Sequence, residues 1–295
     1  MLTLIDALNA ASESRVAIGH FNVSDLVAFN AIVGAARELK RPALVGVSEG
    51  EREFLGVTQI AALVRSVREE FGMPIFLNAD HSHSLAKAEE AARAGFDEVL
   101  FDGSSLPFEE NVRTTRRAVE AIKSINPAIL VEGEIGYIGS SSDVLNEPPK
   151  GMQPLTTPEE AMEFMEKTGV DVLAPAVGNM HGMLASMLRG EGEKRLDLPR
   201  IQQIKRATGV HLTLHGGSGT NDEDLGSAIA AGITIIHINT ELRVAWRRGI
   251  EGALANHPGT VVPYKLLATA VEVIQEVVLA RMRLFSTPRE ERLAS

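Results

Sequence analysis

The feature that most constrains this 295-residue chain is an eightfold alternation of short apolar runs with amphipathic helical stretches. The runs are VAIGHF (16–21), ALVGV (43–47), PIFLNAD (74–80), EVLFD (98–102), AILVEGE (128–134), VDVLAPAV (170–177), VHLTLHG (210–216) and ITIIHI (233–238). Helix-like segments such as 84–95 and 111–125 lie between them. Several end at a glycine just before the next run, at Gly95, Gly169, Gly209 and Gly232, which is a common way for a helix to stop. Strand–helix repetition implies a parallel sheet, and eight repeats imply closure into a (β/α)8 barrel. No linker or composition break divides the chain, so residues 1–295 are expected to form one barrel domain. The segment 266–285 is expected to add a C-terminal helix with a broad apolar face, either capping the barrel or making a subunit contact.

Composition narrows the function. A formal charge of −10 disfavours nucleic acid and anionic membranes as partners. There is no cysteine, so a metal would have to be held by histidine and carboxylates. The N-terminus lacks a signal-peptide core and no run approaches a membrane span, so the expected location is cytoplasmic.

Barrel enzymes carry their chemistry at the C-terminal ends of the strands and commonly hold phosphate in the last two loops. At those ends stand Asn22, Ser48, Asp80, His81, Asp102, Glu132, Glu134, His181, His215, Asn239 and Thr240. Their spacing carries no signal, because ligands from different strands meet only when the barrel closes. His81, His181 and His215 would converge beside Asp80, Asp102 and Glu134, and three imidazoles with an open position form a standard catalytic zinc arrangement. His20, His83, His211 and His257 read instead as structural. HGGSGT (215–220), with Gly216, Gly217 and Ser218, offers a backbone turn for an anion, and NTEL (239–242) adds a helix N-terminus. Residues 137–155, rich in Gly, Ser and Pro, form a long loop that is either functional or a surface excursion.

These residues resemble the class II, metal-dependent fructose-bisphosphate and tagatose-bisphosphate aldolases over essentially the whole chain. The segments carrying the likeness are FNVSD (21–25), ADHSHS (79–84), AGFDEVLFDGSSLPFEEN (94–111), VEGEIGYIG (131–139), AVGNMHG (176–182), LHGGSG (214–219) and INTELR (238–243). The resemblance implies reversible cleavage of a phosphorylated ketose to dihydroxyacetone phosphate and an aldehyde. It makes His81, His181 and His215 zinc ligands and Asp80 the group exchanging a proton with the C4 hydroxyl. Asp102 and Glu134 correspond to a second or alternative metal position, with Glu132 nearby. Gly182, Gly216, Gly217, Ser218, Asn239 and Thr240 would cradle a phosphate, with Ser48 facing the substrate. Arg281 is similar to an arginine that reaches a neighbouring subunit's phosphate. The family implies a homodimer or homotetramer and, in some members, a monovalent cation near the phosphate.

Three positions depart from the family pattern. Ser142 stands where a loop glutamate usually shuttles a proton, with Asp143 or Glu147 as substitutes if the loop folds differently. His237 replaces an asparagine that touches the dihydroxyacetone-phosphate part of the substrate. Ser82 follows the first metal histidine where glycine is usual. These changes leave two alternatives open: an aldolase for another phosphorylated keto-sugar, or a non-catalytic relative that binds sugar phosphate or metal.

Overall fold

The computed structural model describes residues 2–151 and 154–288; Met152 and Gln153 of the long loop lie outside the described residues. The strands are β1 (Ile18–Asn22), β2 (Ala43–Val47), β3 (Ile75–Ser82), β4 (Glu98–Phe101), β5 (Leu130–Ile135), β6 (Val144–Leu145), β7 (Val172–Pro175), β8 (Met183–Leu184), β9 (His211–Leu214) and β10 (Ile233–Ile238). Eight of them close a barrel in the order β1-β10-β9-β7-β5-β4-β3-β2, and every neighbouring pair is parallel. These are the eight apolar runs of the sequence. The short β6 and β8 pair separately over the mouth.

The helices are α1 (Leu4–Glu13), α2 (Leu26–Leu39), α3 (Glu49–Leu55), α4 (Val57–Phe71), α5 (Leu85–Ala94), α6 (Phe108–Ile125), α7 (Pro158–Thr168), α8 (Ala185–Leu188), α9 (Leu198–Thr208), α10 (Asp222–Ala231), α11 (Thr240–Asn256) and α12 (Pro263–Ser286). Gly95, Gly169, Gly209 and Gly232 are C-caps, all at positive φ, as their sequence positions predict. Residues of the outer strand faces pack under the helices in one large core, for example Val45, Leu77, Val99, Val131 and Leu173.

The barrel interior is layered by chemistry. Its floor is apolar: Ile18, Leu44, Phe76, Leu130, Val172 and Ile235 pack against Leu4, Ala7, Leu8 and Ala11 of α1. Burying a leucine there contributes about 1.5–3 kcal/mol, so α1 is a plug. Above the floor the inward positions become polar, with His20, Asn78, Glu98, Glu132, Thr213 and His237 all buried. The expected C-terminal helix is present as α12, but it neither caps the barrel floor nor stands apart. It packs between α2 and α11 and touches β1, and Phe285 is fully buried with its carbonyl accepting from the Ala17 amide. Gly249 of α11 makes this approach close: a Cβ there would lie 2.5 Å from the Ala270 Cα.

Candidate active site

Consecutive residues of a strand point to opposite faces, yet Asp80 and His81 both contribute to the mouth. The register between β3 and β4 shifts between Ala79 and Ser82, and His81 has φ 51°. A bulge with one residue in the left-handed region thus breaks the alternation and brings both side chains inward. Arg52, fully buried, secures it: its guanidinium donates to the carbonyls of Val47 (2.6 Å), Asp80 (3.4 Å) and His81 (3.3 Å) and to Ser82 Oγ (3.1 Å). Ser82, where the family pattern has glycine, therefore supplies an acceptor for this arginine.

His81, His181 and His215 converge as the barrel assignment predicts, with ring centroids 4.9, 5.0 and 5.5 Å apart. With Glu134 they present ligand atoms within 4.8 Å of one another. His181 Nε2, His215 Nδ1 and Glu134 Oε2 are buried without a hydrogen-bond partner. Buried polar atoms are ordinarily satisfied, so this set fits a divalent cation. The other ring atoms are already oriented: Glu132 Oε1 lies 2.7 Å from His215 Nε2, and Asp102 Oδ2 lies 2.9 Å from His81 Nδ1. Carboxylates behind metal-binding imidazoles fix tautomer and ring position. Asp102 is itself held by the Ser104 amide and hydroxyl.

The charges in this cluster are displaced from their usual values. Burial pulls the His81 imidazolium down, but Asp80, Asp102 and Glu134 outweigh it and hold it up at about 10. Burial and the charge on His81 push His215 down to about 3 and His181 well below its ordinary value. Burial raises Glu132 to about 8 with help from Asp80, and raises Glu134 well above the carboxyl range with help from Asp102. A divalent cation would restore the charged carboxylates and displace the proton from His81.

Asp80 forms the next layer. Its Oδ2 accepts from Asn22 Nδ2 at 2.8 Å, while Oδ1 has no hydrogen-bond partner and lies 3.4 Å from His237 Nδ1. Burial opposes ionisation, but His81 and His237 hold this carboxyl group well below its ordinary range. Asn22 is steadied in turn by Glu51, which also accepts from the Ser48 amide and from Arg243. His237 stacks on His20 with centroids 3.5 Å apart and planes 4° from parallel, and packs 4.0 Å from the His215 ring. His20, Asp80 and His237 are close enough together to suggest a second ion site. Stacked imidazoles, however, point their in-plane lone pairs along parallel lines, so His20 and His237 do not converge on one ion.

The anion half of the mouth comes from the last two loops. Asn22, Asp80, Ser142, His181, Gly182, Gly216, Ser218, His237, Asn239 and Thr240 line one cavity. Ser218 Oγ accepts from the Asn239 amide (3.2 Å) and the Glu241 amide (3.4 Å) at the start of α11. A hydroxyl oxygen thus sits where helix N-terminal amides would meet an anion. Gly216 has φ 61°, and a Cβ there would come within 2.1 Å of the Met180 carbonyl, so this turn requires glycine.

The long loop folds onto this half. Ser142 O accepts from Thr240 Oγ1 at 2.9 Å, and β6 pairs with β8 next to Gly182. Ser142 lines the cavity, whereas the Asp143 side chain is exposed and near Arg243. Three residues predicted to bind substrate or phosphate, Gly217, Ser48 and Arg281, are not among those that line the cavity. Ser48 is the N-cap of α3, with its hydroxyl on the Glu51 amide. Arg281 donates to both oxygens of Glu241 at 2.8 and 2.9 Å and pairs with Asp222.

A family model described as fructose-bisphosphate aldolase class-II matches residues 2–289. The chain belongs to the class-II fructose-bisphosphate aldolase family. It is 35% identical over 294 residues to a probable fructose-bisphosphate aldolase of Bacillus subtilis, covering 98% of this chain and 99% of the relative. Against the fructose-bisphosphate aldolase of Geobacillus stearothermophilus it is 34% identical over 291 residues, with 97% of each covered. Among solved structures it resembles the YdjI aldolase of Escherichia coli K12, with TM-score 0.79 and 27% identity over 98% of each chain. It is also similar to a putative fructose-1,6-biphosphate aldolase of Coccidioides immitis, with TM-score 0.80, 27% identity and the same coverage.

In this class-II aldolase several working contacts had no sequence signal. Arg52 and Glu51 sit in a charged helix start that reads as solvated surface. Lys194 lies in the polar run EGEKR yet is buried. His20 has the strand position of a structural histidine, but it stacks directly on a residue of the cavity wall. Only the inward face of β1, shared by His20 and Asn22 at a spacing of two, pointed toward it.

Proposed function

We propose that this protein catalyses metal-dependent, reversible aldol cleavage of a phosphorylated ketose of the fructose- or tagatose-1,6-bisphosphate type. The products are dihydroxyacetone phosphate and an aldehyde, and the chain works as one barrel domain over 1–295, in a homodimer or homotetramer. One observation carries the reading: unpartnered ligand atoms of His181, His215 and Glu134 lie beside a carboxylate with a free Oδ1, next to a cavity walled by a Gly-rich loop.

His81, His181 and His215 would hold the ion, and three imidazoles with carboxylates and no thiolate suit zinc. Glu134 either joins this set or, with Asp102, provides a second or alternative metal position. When bound, the metal supplies Lewis acidity, polarising the ketone and stabilising the enediolate left by cleavage. Asp80, ionised, takes the proton of the C4 hydroxyl while the C3–C4 electron pair passes to C3; in the synthetic direction it returns that proton. Asn22 keeps the carboxylate oriented. Gly182, Gly216, Gly217, Ser218, Asn239 and Thr240 cradle the phosphate at the start of α11, with Ser218 Oγ giving up its amides to the anion. Ser48 and His237 border the substrate, and Arg281 braces the phosphate loop through Glu241 or serves the neighbouring subunit.

The second reading, the same chemistry on another phosphorylated keto-sugar, is favoured by His237 beside Asp80 and by Ser142 where an acid is usual. Zinc-loaded protein should release dihydroxyacetone phosphate from at least one member of a panel of ketose mono- and bisphosphates. Chelation should abolish the release and zinc should restore it. The best substrate decides between the two readings, and no release from any member would overturn both.

A further inference from the structure

Behind the anion loop lies a cation that the chain itself supplies. Lys194 is buried, 4% exposed, and its Nζ lies within hydrogen-bond distance of four backbone carbonyls. These belong to Met180 (2.9 Å), Gly182 (2.6 Å), Gly216 (2.8 Å) and Ser218 (2.5 Å). An ammonium has three N–H groups, so four carbonyls around it outnumber its donors. Such a cage resembles the coordination of a bare monovalent cation by carbonyl oxygens more than it does an ordinary lysine contact.

The position of the cage matters. Two carbonyls come from the turn after β7 that carries His181, and two from the turn after β9 that carries Gly217. In a trans peptide the carbonyl and the following N–H point in opposite directions. The N–H groups paired with these carbonyls are taken as well: His181 N donates to Ile138 O, Met183 N to Asp143 O, Gly217 N to His237 O, and Gly219 N to Glu241 Oε1. Four peptide planes are therefore fixed at both ends, with Lys194 as the common anchor. Burial lowers this ammonium to about 7 and Glu241 opposes the shift; the four carbonyl dipoles also favour the charged form.

We infer that Lys194 is a built-in monovalent cation, a positioning residue that locks the turns at 180–182 and 216–218 into their anion-binding shape and makes the site independent of sodium or potassium. The anion it serves is the substrate phosphate of the aldolase reading above, but the cage is testable without turnover.

The test removes the ammonium and offers a substitute. In wild-type protein, binding of inorganic phosphate and any aldolase KM should be the same in sodium, potassium and tetramethylammonium salts at matched ionic strength. Lys194→Ala should weaken phosphate binding and raise KM by roughly tenfold or more, as expected for losing charge-assisted hydrogen bonds, with a smaller change in kcat. Potassium or ammonium should restore much of the loss and raise the melting temperature of the variant. Tetramethylammonium, too large for the cage, should do neither. Rubidium soaked into crystals of Lys194→Ala should give an anomalous peak among the four carbonyls. If the alanine variant does not fold, Lys194→Gln takes its place in every arm.

Three results would overturn the inference. They are dependence of the wild type on sodium or potassium, unchanged phosphate binding in the variant, or a loss that no small cation repairs. If the wild type binds phosphate but turns over no ketose phosphate, the aldolase reading fails while the cage is still judged by phosphate binding and rubidium.

Discussion

The two halves of the barrel mouth are built on opposite plans. In the metal half, imidazole and carboxylate atoms converge and several are left without a protein partner. In the anion half, a lysine ammonium already fills a cage of four backbone carbonyls. An open ligand set is needed where the ion must also contact substrate, because the protein has to leave coordination positions free. A cation that only holds loops in shape needs no open position, so a tethered ammonium serves. The contrast separates a centre that must be loaded from a scaffold that comes complete.

Substitutions should keep the halves distinct. The largest effect is expected for Asp80→Asn, which should lower kcat by roughly 10²–10⁴-fold while zinc content, measured by elemental analysis, stays at the wild-type level. Loss of zinc in that variant would show that Asp80 belongs to the ion's own shell. Glu132→Gln removes the carboxylate behind His215 and should weaken ion affinity by about 10–100-fold in a chelator competition. It should leave inorganic phosphate binding unchanged, and weakened phosphate binding would blur the line between the halves.

The pH dependence of loading sharpens the comparison further. The His81 imidazolium, held up at about 10 in the metal-free protein, stabilises the fold below its unfolded value near 6.5, and that contribution is lost as the pH rises through about 10. Since binding an ion displaces this proton and also restores the charge on Glu134 and Glu132, ion affinity should rise more than tenfold per pH unit across the neutral range. Calorimetry in buffers of different ionisation heat should count more than one proton released. A pH-independent affinity would mean that His81 is already neutral and that both carboxylates are already charged. The smallest effect is expected for His237→Asn, which exchanges a stacked imidazole for a shorter amide beside Asp80. It should change the preference among ketose phosphates by about tenfold, the scale of small shape changes in a pocket, with ion affinity unaltered.

Much of this site could be read before the fold. The eight apolar runs set the strands, and strand-end position singled out His81, His181, His215, Asp80 and Glu134 although they are scattered over more than a hundred positions. A glycine-rich turn after β9 and a helix start after β10 marked the anion half. Other features were hidden because their signal is not local. A lysine in EGEKR looks like any solvated charge, and Arg52 looks like one face of a surface helix. The C-terminal helix left open whether it capped the barrel, and the packing of α12 between α2 and α11 answered that while α1 proved to be the plug.

By itself, then, the sequence determined the alternation that makes a barrel and the residue types at each strand end, since hydrophobic period and glycine position act over a few neighbouring residues. The tertiary structure decided which of those side chains meet. The bulge at His81 turned two adjacent residues toward one mouth, closure put Glu132 behind His215, and burial brought the Lys194 ammonium under four carbonyls. Those contacts join residues distant in the chain, and they exist only once the strands have closed.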